Sequence, residues 1–212
     1  MELGGWEVRN GVDPREAKWF TIKITRKMAP WVFSGGEPFR KIATLELLAT
    51  LLCVLAFPPP EKGARNEVLT LSAGTDNLGN TMAVSKLMTT KFPLCAAMMQ
   101  LASTLAKNQW RLKLGWIPRN QNYEADELSN GLTHRFKNSN EVRVEPLLEK
   151  LVIFNKMIKY GQKLYDDIKT IKVERKEERG KKPHSEERVK AGGKRRKGRE
   201  EAPKKLKERE PW

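Results

Sequence analysis

Ile42-Ala43-Thr44-Leu45-Glu46-Leu47-Leu48-Ala49-Thr50-Leu51-Leu52-Cys53-Val54-Leu55-Ala56-Phe57 is an apolar run broken by one charge, Glu46. Its length predicts a helix that begins near Pro38 and is stopped by Pro58-Pro59-Pro60. On that helix Glu46 shares a face with Ile42, Ala43, Ala49, Thr50 and Cys53, and none of these can neutralise it. A carboxylate on an apolar face must find a cation, a hydrogen-bond donor or water. Two solutions are open: a ligand role in a metal site, or a side chain that points out through a thin polar seam.

Working outward, residues 4–9 and 19–25 read as two strands of a hairpin, turned at Gly11, Asp13 and Pro14. Residues 29–33, ahead of Gly35-Gly36, read as a loop. After the prolines come a strand over 67–72, a helix over 77–90, and a helix over 93–108 with Leu94, Met98, Leu101 and Leu105 at helical spacing. Residues 110–117 alternate Trp and Leu with Arg, Lys and Gly, as a half-buried strand does, and Pro118 ends it. A short helix over 123–130 is capped by Gly131, and a long helix covers 145–169. The order β-β-α-β-α-α-β-α predicts an α/β fold with one mixed sheet flanked by helices.

Two further carboxylates stand at element boundaries. Asp76 lies where the strand-like Val68-Leu69-Thr70-Leu71-Ser72 gives way to Thr75-Asp76-Asn77. Asp126 lies at the start of the 123–130 helix. Each has a plain structural explanation: Asp76 as a helix N-cap, Asp126 as a partner of the helix dipole. Taken jointly with Glu46, however, they place acids on a helix, a strand end and a helix start around one sheet. That is the arrangement of a two-metal site that cuts phosphodiesters.

Three segments carry a resemblance: Lys41-Ile42-Ala43-Thr44-Leu45-Glu46-Leu47-Leu48-Ala49-Thr50, Leu71-Ser72-Ala73-Gly74-Thr75-Asp76-Asn77-Leu78-Gly79-Asn80, and Asn122-Tyr123-Glu124-Ala125-Asp126-Glu127-Leu128-Ser129. They resemble the ribonuclease H-like domain of retroelement reverse transcriptases, nearest to the tyrosine-recombinase (DIRS-like) kind. The resemblance implies a five-stranded sheet and two Mg²⁺ ions held by four carboxylates, three of which map onto Glu46, Asp76 and Asp126. The fourth belongs on a first strand just upstream of a Gly-Gly-Trp segment. Here Gly4-Gly5-Trp6 is preceded only by Met1-Glu2-Leu3, so that strand and its acid are expected to be missing. Glu2 and Asp13 are badly placed to substitute. The implied partners are RNA–DNA hybrid or RNA, and a reverse transcriptase domain.

Composition bounds the rest. The chain has 212 residues and a formal net charge of +15. Residues 171–212 hold 17 Lys and Arg against 9 Glu, a net of +8, with few aliphatic side chains. Such a segment is expected to be a disordered basic tail, which leaves a ribonuclease H-like domain over 1–135 and a C-terminal helix over 136–170. The basic charge points to polyanion partners. Arg119, and the cluster Lys194, Arg195, Arg196 and Lys197, are the candidate nucleic-acid contacts, and that cluster also resembles a nuclear import signal within an intracellular protein. Solvated surface charge is the plain alternative for them. His134 reads as a surface side chain or as a loop His that assists product release. The tryptophans read mostly as core. Cys53 and Cys95 read as buried thiols, with no metal-ligand spacing. No apolar run reaches the ~20 residues of a membrane span, and no leader peptide is visible. Two functions remain: a metal-dependent endoribonuclease, if the missing acidic strand is supplied or dispensable, or a non-catalytic remnant that binds nucleic acid through its basic tail.

Overall fold

The structure, a computed structural model, describes residues 1–8, 13–34, 38–59 and 68–180. The turn at Gly11, the Gly35-Gly36 loop and the cluster Lys194, Arg195, Arg196 and Lys197 lie outside the described residues. The chain divides into two units, Met1–Thr170 and Ile171–Trp212.

The fold is mixed α/β. In chain order the elements are β1 (Glu2–Trp6), β2 (Trp19–Lys23), α1 (Pro30–Phe33), α2 (Pro38–Ala56), β3 (Leu69–Thr75), α3 (Leu78–Lys86), α4 (Leu94–Lys107), β4 (Trp110–Trp116), α5 (Tyr123–Ser129), α6 (Glu145–Glu149) and α7 (Val152–Gly180). Among the described residues no helix is long and apolar enough to cross a membrane.

The core is built on α2. Leu45, Leu47, Leu48, Leu51 and Leu52 are buried, and α2 packs on α4, which contributes Ala97, Met98, Leu101 and Leu105. Apolar residues nearly all round α2 are the signature of a helix enclosed on several sides. A smaller cluster of Ala17, Trp19, Leu128 and Phe136 fastens α5 to the hairpin. There the Thr21 hydroxyl donates to the Leu128 carbonyl at 2.9 Å, and the Trp19 indole donates to the Lys137 carbonyl at 2.9 Å.

Among the described residues the strands form two two-stranded sheets rather than the single mixed sheet expected from the strand order. β1 pairs with β2 antiparallel, with Leu3 opposite Ile22 and Gly5 opposite Phe20. β3 pairs with β4 in parallel, with Leu71 opposite Leu112 and Thr75 opposite Trp116. Alternation tells which side of a strand faces the core, but it does not say which strands are neighbours.

Three further departures have local causes. Residues 30–33 form one helical turn with Pro30 at its start, where a missing N–H costs nothing. The single helix expected over 145–169 is broken at buried Leu151. There the Gln100 side-chain oxygen from α4 accepts the N–H groups of Ile153 (2.9 Å) and Phe154 (3.2 Å), satisfying two orphan donors of α7. Finally, α7 continues to Gly180, so residues 171–180 of the supposed tail are helical. Lys, Arg and Glu, which dominate this stretch, are good helix formers.

Candidate functional site

The site begins where two helices press on β1. A Cβ added at Gly4 would stand 2.4 Å from the Leu128 Cβ and 2.7 Å from the Ser129 nitrogen. One added at Gly5 would stand 2.4 Å from the Cys53 sulfur. Successive strand residues point to opposite faces, so α5 lies against one face of β1 and α2 against the other. These close approaches bring the helix bearing Glu46 and the helix bearing Asp126 to the same strand. Burial pushes the Cys53 thiol up to about 12, so it stays protonated. Cys95 is also a free thiol, shifted upward by burial.

Between β1 and β3 lies a cavity of about 530 Å³, and Glu46, Asp76, Asp126 and Arg119 all line it. Asp76 follows the last residue of β3. It does not cap α3; Asn77 does, its side-chain oxygen accepting the Asn80 N–H at 2.9 Å. The same Asn77 side chain donates its amide to the Glu46 carboxylate. Asn80, 1% exposed, donates to the Ala43 carbonyl at 2.9 Å and ties α3 to α2. Arg119 Nε stands 3.3 Å from Asp76 Oδ2, and the Trp116 indole donates to the Asp76 carbonyl at 3.1 Å.

Several influences act on the Glu46 carboxyl. Burial raises its carboxyl above the ordinary 4.5, the Asn77 hydrogen bond lowers it, the charge of Asp76 raises it, and that of Arg119 lowers it. These influences show that Glu46, Asp76 and Arg119 share one electrostatic neighbourhood. Asp126 is exposed and reaches the same cavity from α5.

The expected pair of Mg²⁺ ions can be tested against these donors. Among the described residues no group of three or more His, Cys, Asp or Glu side chains is gathered closely enough to hold a metal ion. Asp76 faces a guanidinium and Glu46 faces an amide donor. A divalent site needs several carboxylate oxygens turned on one point, so the donor set of these residues, as arranged, does not fit the ions.

The remaining candidates are placed as follows. Arg119 lines the cavity and is 79% exposed. His134 lies in the turn after α5, exposed, 4.0 Å from Glu127 Oε2, an oxygen that Arg135 also pairs with. Trp19 is buried as expected, but Trp116 is 52% exposed beside Asp76. It shares the inward phase of Trp110, Leu112 and Leu114, but β4 runs past the end of the core. Asn77 and Trp116 are the two residues of the site that sequence reasoning missed. Capping preference alone pointed to Asn77 as readily as to Asp76. The chain matches no family model, no curated protein and no solved structure.

Proposed function

We propose that this chain carries a ribonuclease H-like domain that binds nucleic acid, RNA–DNA hybrid or RNA, without cutting it unaided. One observation carries the reading: Glu46, Asp76 and Asp126 come from a helix, a strand end and a helix start onto one cavity, with Arg119 rather than a metal cage beside Asp76. The placement supports the kinship, and the open donor set supports the loss of unaided catalysis. Binding draws on the outward face of β4, where Arg111 and Lys113 are exposed, on Arg119, and on the basic stretch with Lys194, Arg195, Arg196 and Lys197. Trp116, which shares Asp76 with Arg119, and Tyr123 are both more than half exposed and offer ring faces for unpaired bases.

The test is a labelled RNA–DNA hybrid titrated with the full chain at rising salt, and the same hybrid incubated with Mg²⁺. The expected result is sequence-independent binding, micromolar in order of magnitude, that weakens steeply with salt. Replacing Lys194, Arg195, Arg196 and Lys197 by Ala should flatten the salt slope. Cleavage should not exceed that of Asp76→Asn. Failure to bind at low salt would remove the nucleic-acid reading. Mg²⁺-dependent cleavage abolished by Asp76→Asn would reinstate a metal-dependent endoribonuclease.

A further inference from the structure

α7 outruns the core that its first turns serve. Phe154 is buried, Met157 and Ile158 pack against the core, and a Cβ added at Gly161 would stand 3.0 Å from the Phe92 ring. These residues recur at helical spacing and form one stripe. The helix runs on to Gly180, and the stripe runs on with it through Leu164, Ile168 and Ile171. There the core has ended: the three side chains are 60%, 42% and 45% exposed. Apolar residues alternately three and four apart are the spacing at which one helix packs along another.

The charges beside this seam identify the other helix. In the heptad register that puts Ile168 at position a, Leu164 and Ile171 fall at d, Asp167 and Glu174 at g, and Lys172 at e. All three charged side chains are exposed, so acids flank the seam on one side and a base flanks it on the other. In a parallel pair of helices each g residue lies beside the e residue of the following heptad in the other chain. Asp167 of one copy then meets Lys172 of the other, and symmetry makes the contact twice. In an antiparallel pair g faces g, which sets Asp167 against Glu174. The same two acids repel an anionic lipid surface or a phosphate backbone.

We propose that α7, from Leu164 to Arg175, pairs in parallel with α7 of a second copy of this chain as a two-stranded coiled coil. A β-branched Ile168 at a with Leu164 at d suits two strands. The seam has three apolar layers, and Arg175 takes the next a position, so the pairing is weak and follows chain concentration. It stands or falls apart from nucleic-acid binding.

The experiment is sedimentation equilibrium of the full chain, freed of nucleic acid, from about 10 µM to about 1 mM in about 0.15 M salt. The expected result is a reversible monomer–dimer equilibrium. Ile168→Glu sets a charge in the seam and should weaken dimerisation about tenfold or more. The thermal midpoint of the dilute chain should not move, because Ile168 belongs to neither core cluster. Asp167→Lys and Lys172→Glu each bring like charges together across the pair and should each weaken self-association about threefold or more. Mixed in equal amounts, these two variants should associate with each other as well as the parent does with itself. A chain that stays monomeric throughout this range would overturn the proposal, as would a dimer that Ile168→Glu leaves unchanged or a mixture that does not associate. A tighter dimer with Asp167→Lys would mark antiparallel pairing and overturn the parallel one. Binding of the monomeric chain to phosphatidylcholine–phosphatidylserine vesicles, lost with Ile168→Glu, would mark a lipid surface in place of a second copy.

Discussion

β1–β2 and β3–β4 are sheets of equal strand number held in different ways. The hairpin is gripped on both faces of β1: Leu128 of α5 crowds Gly4, and Cys53 of α2 crowds Gly5. The parallel pair is packed against the core on one face, and on the other only the Ile117 side chain closes over Gly74. Leu71, Leu112 and Leu114 pack against the core, while Ser72, Arg111 and Lys113 face solvent. A Cβ at Gly115 would meet nothing closer than the Ala73 carbonyl oxygen at 3.8 Å. The difference explains the character of each carboxylate. Glu46 sits on a helix that the hairpin holds tightly, and burial perturbs it. Asp76 sits at the loose end of the parallel pair and is met by an exposed Arg119. A gripped sheet gives a fixed acid, and a half-covered one gives an acid that answers to whatever approaches from solvent.

The comparison breaks most severely if α5 leaves the hairpin. Leu128 is fully buried and is the residue that fills the space over Gly4, so Leu128→Ala should cost about 2–5 kcal/mol. Leu114→Ala in β4, only partly buried, should cost clearly less. Urea unfolding of both variants checks this; equal losses would mean the two sheets are held alike.

Next in size are the glycines. Gly4→Ala forces a Cβ against the backbone of α5 and should destabilise by about 1–3 kcal/mol. Gly115→Ala makes only an ordinary contact with the Ala73 carbonyl oxygen and should be neutral, or stabilising by up to about 1 kcal/mol through the unfolded chain. Thermal unfolding measures the pair, and a Gly4→Ala variant as stable as the parent would show that α5 does not press on β1.

These residues also mark how far the sequence could be read. The α2 helix was legible because an apolar run and three prolines bound it. The two-sided grip was not, because a glycine in a strand announces a close approach without naming what approaches. The three carboxylates could be singled out, since each stands at a boundary or on an apolar face. Their partners could not: Asn77 lies 31 residues from Glu46 and Arg119 lies 43 from Asp76, separations that no local pattern encodes. The split of the sheet was equally silent, being a matter of which edges remain free rather than of what any strand contains.

Within the site the loose end can be probed at Asn77. Asn77→Ala removes the α3 cap, worth about 1 kcal/mol, together with the amide that holds the Glu46 carboxylate. Asp76→Ala removes the pair with the exposed Arg119 and relieves the like charge beside Glu46, so it should cost less than about 0.5 kcal/mol. Should the two substitutions shift the unfolding midpoint equally, Asn77 does not both cap α3 and hold the Glu46 carboxylate.

The smallest effect is the most diagnostic, because its sign depends on pH. Burial, the largest influence on Glu46, lifts its carboxyl above the ordinary 4.5 despite the Asn77 hydrogen bond. A carboxyl with a higher value in the folded chain than in the unfolded one binds its proton more tightly when folded. The stability from that proton is fully present below the unfolded value and is lost as pH rises through the folded value. Above it, the folded chain carries a partly buried charge that the unfolded chain solvates freely. Glu46→Gln stays neutral at every pH and still offers Asn77 an oxygen. It should therefore match the parent near pH 4 and below, and exceed it at pH 7, in urea midpoints taken at both. A difference that is the same at both pH values would mean that ionisation of Glu46 is not what costs stability. A loss at pH 7 would mean that Asn77 and Arg119 over-compensate the burial, so that the fixed acid at the gripped side of the molecule, like Asp76 at the loose side, is governed by its charged partners rather than by burial.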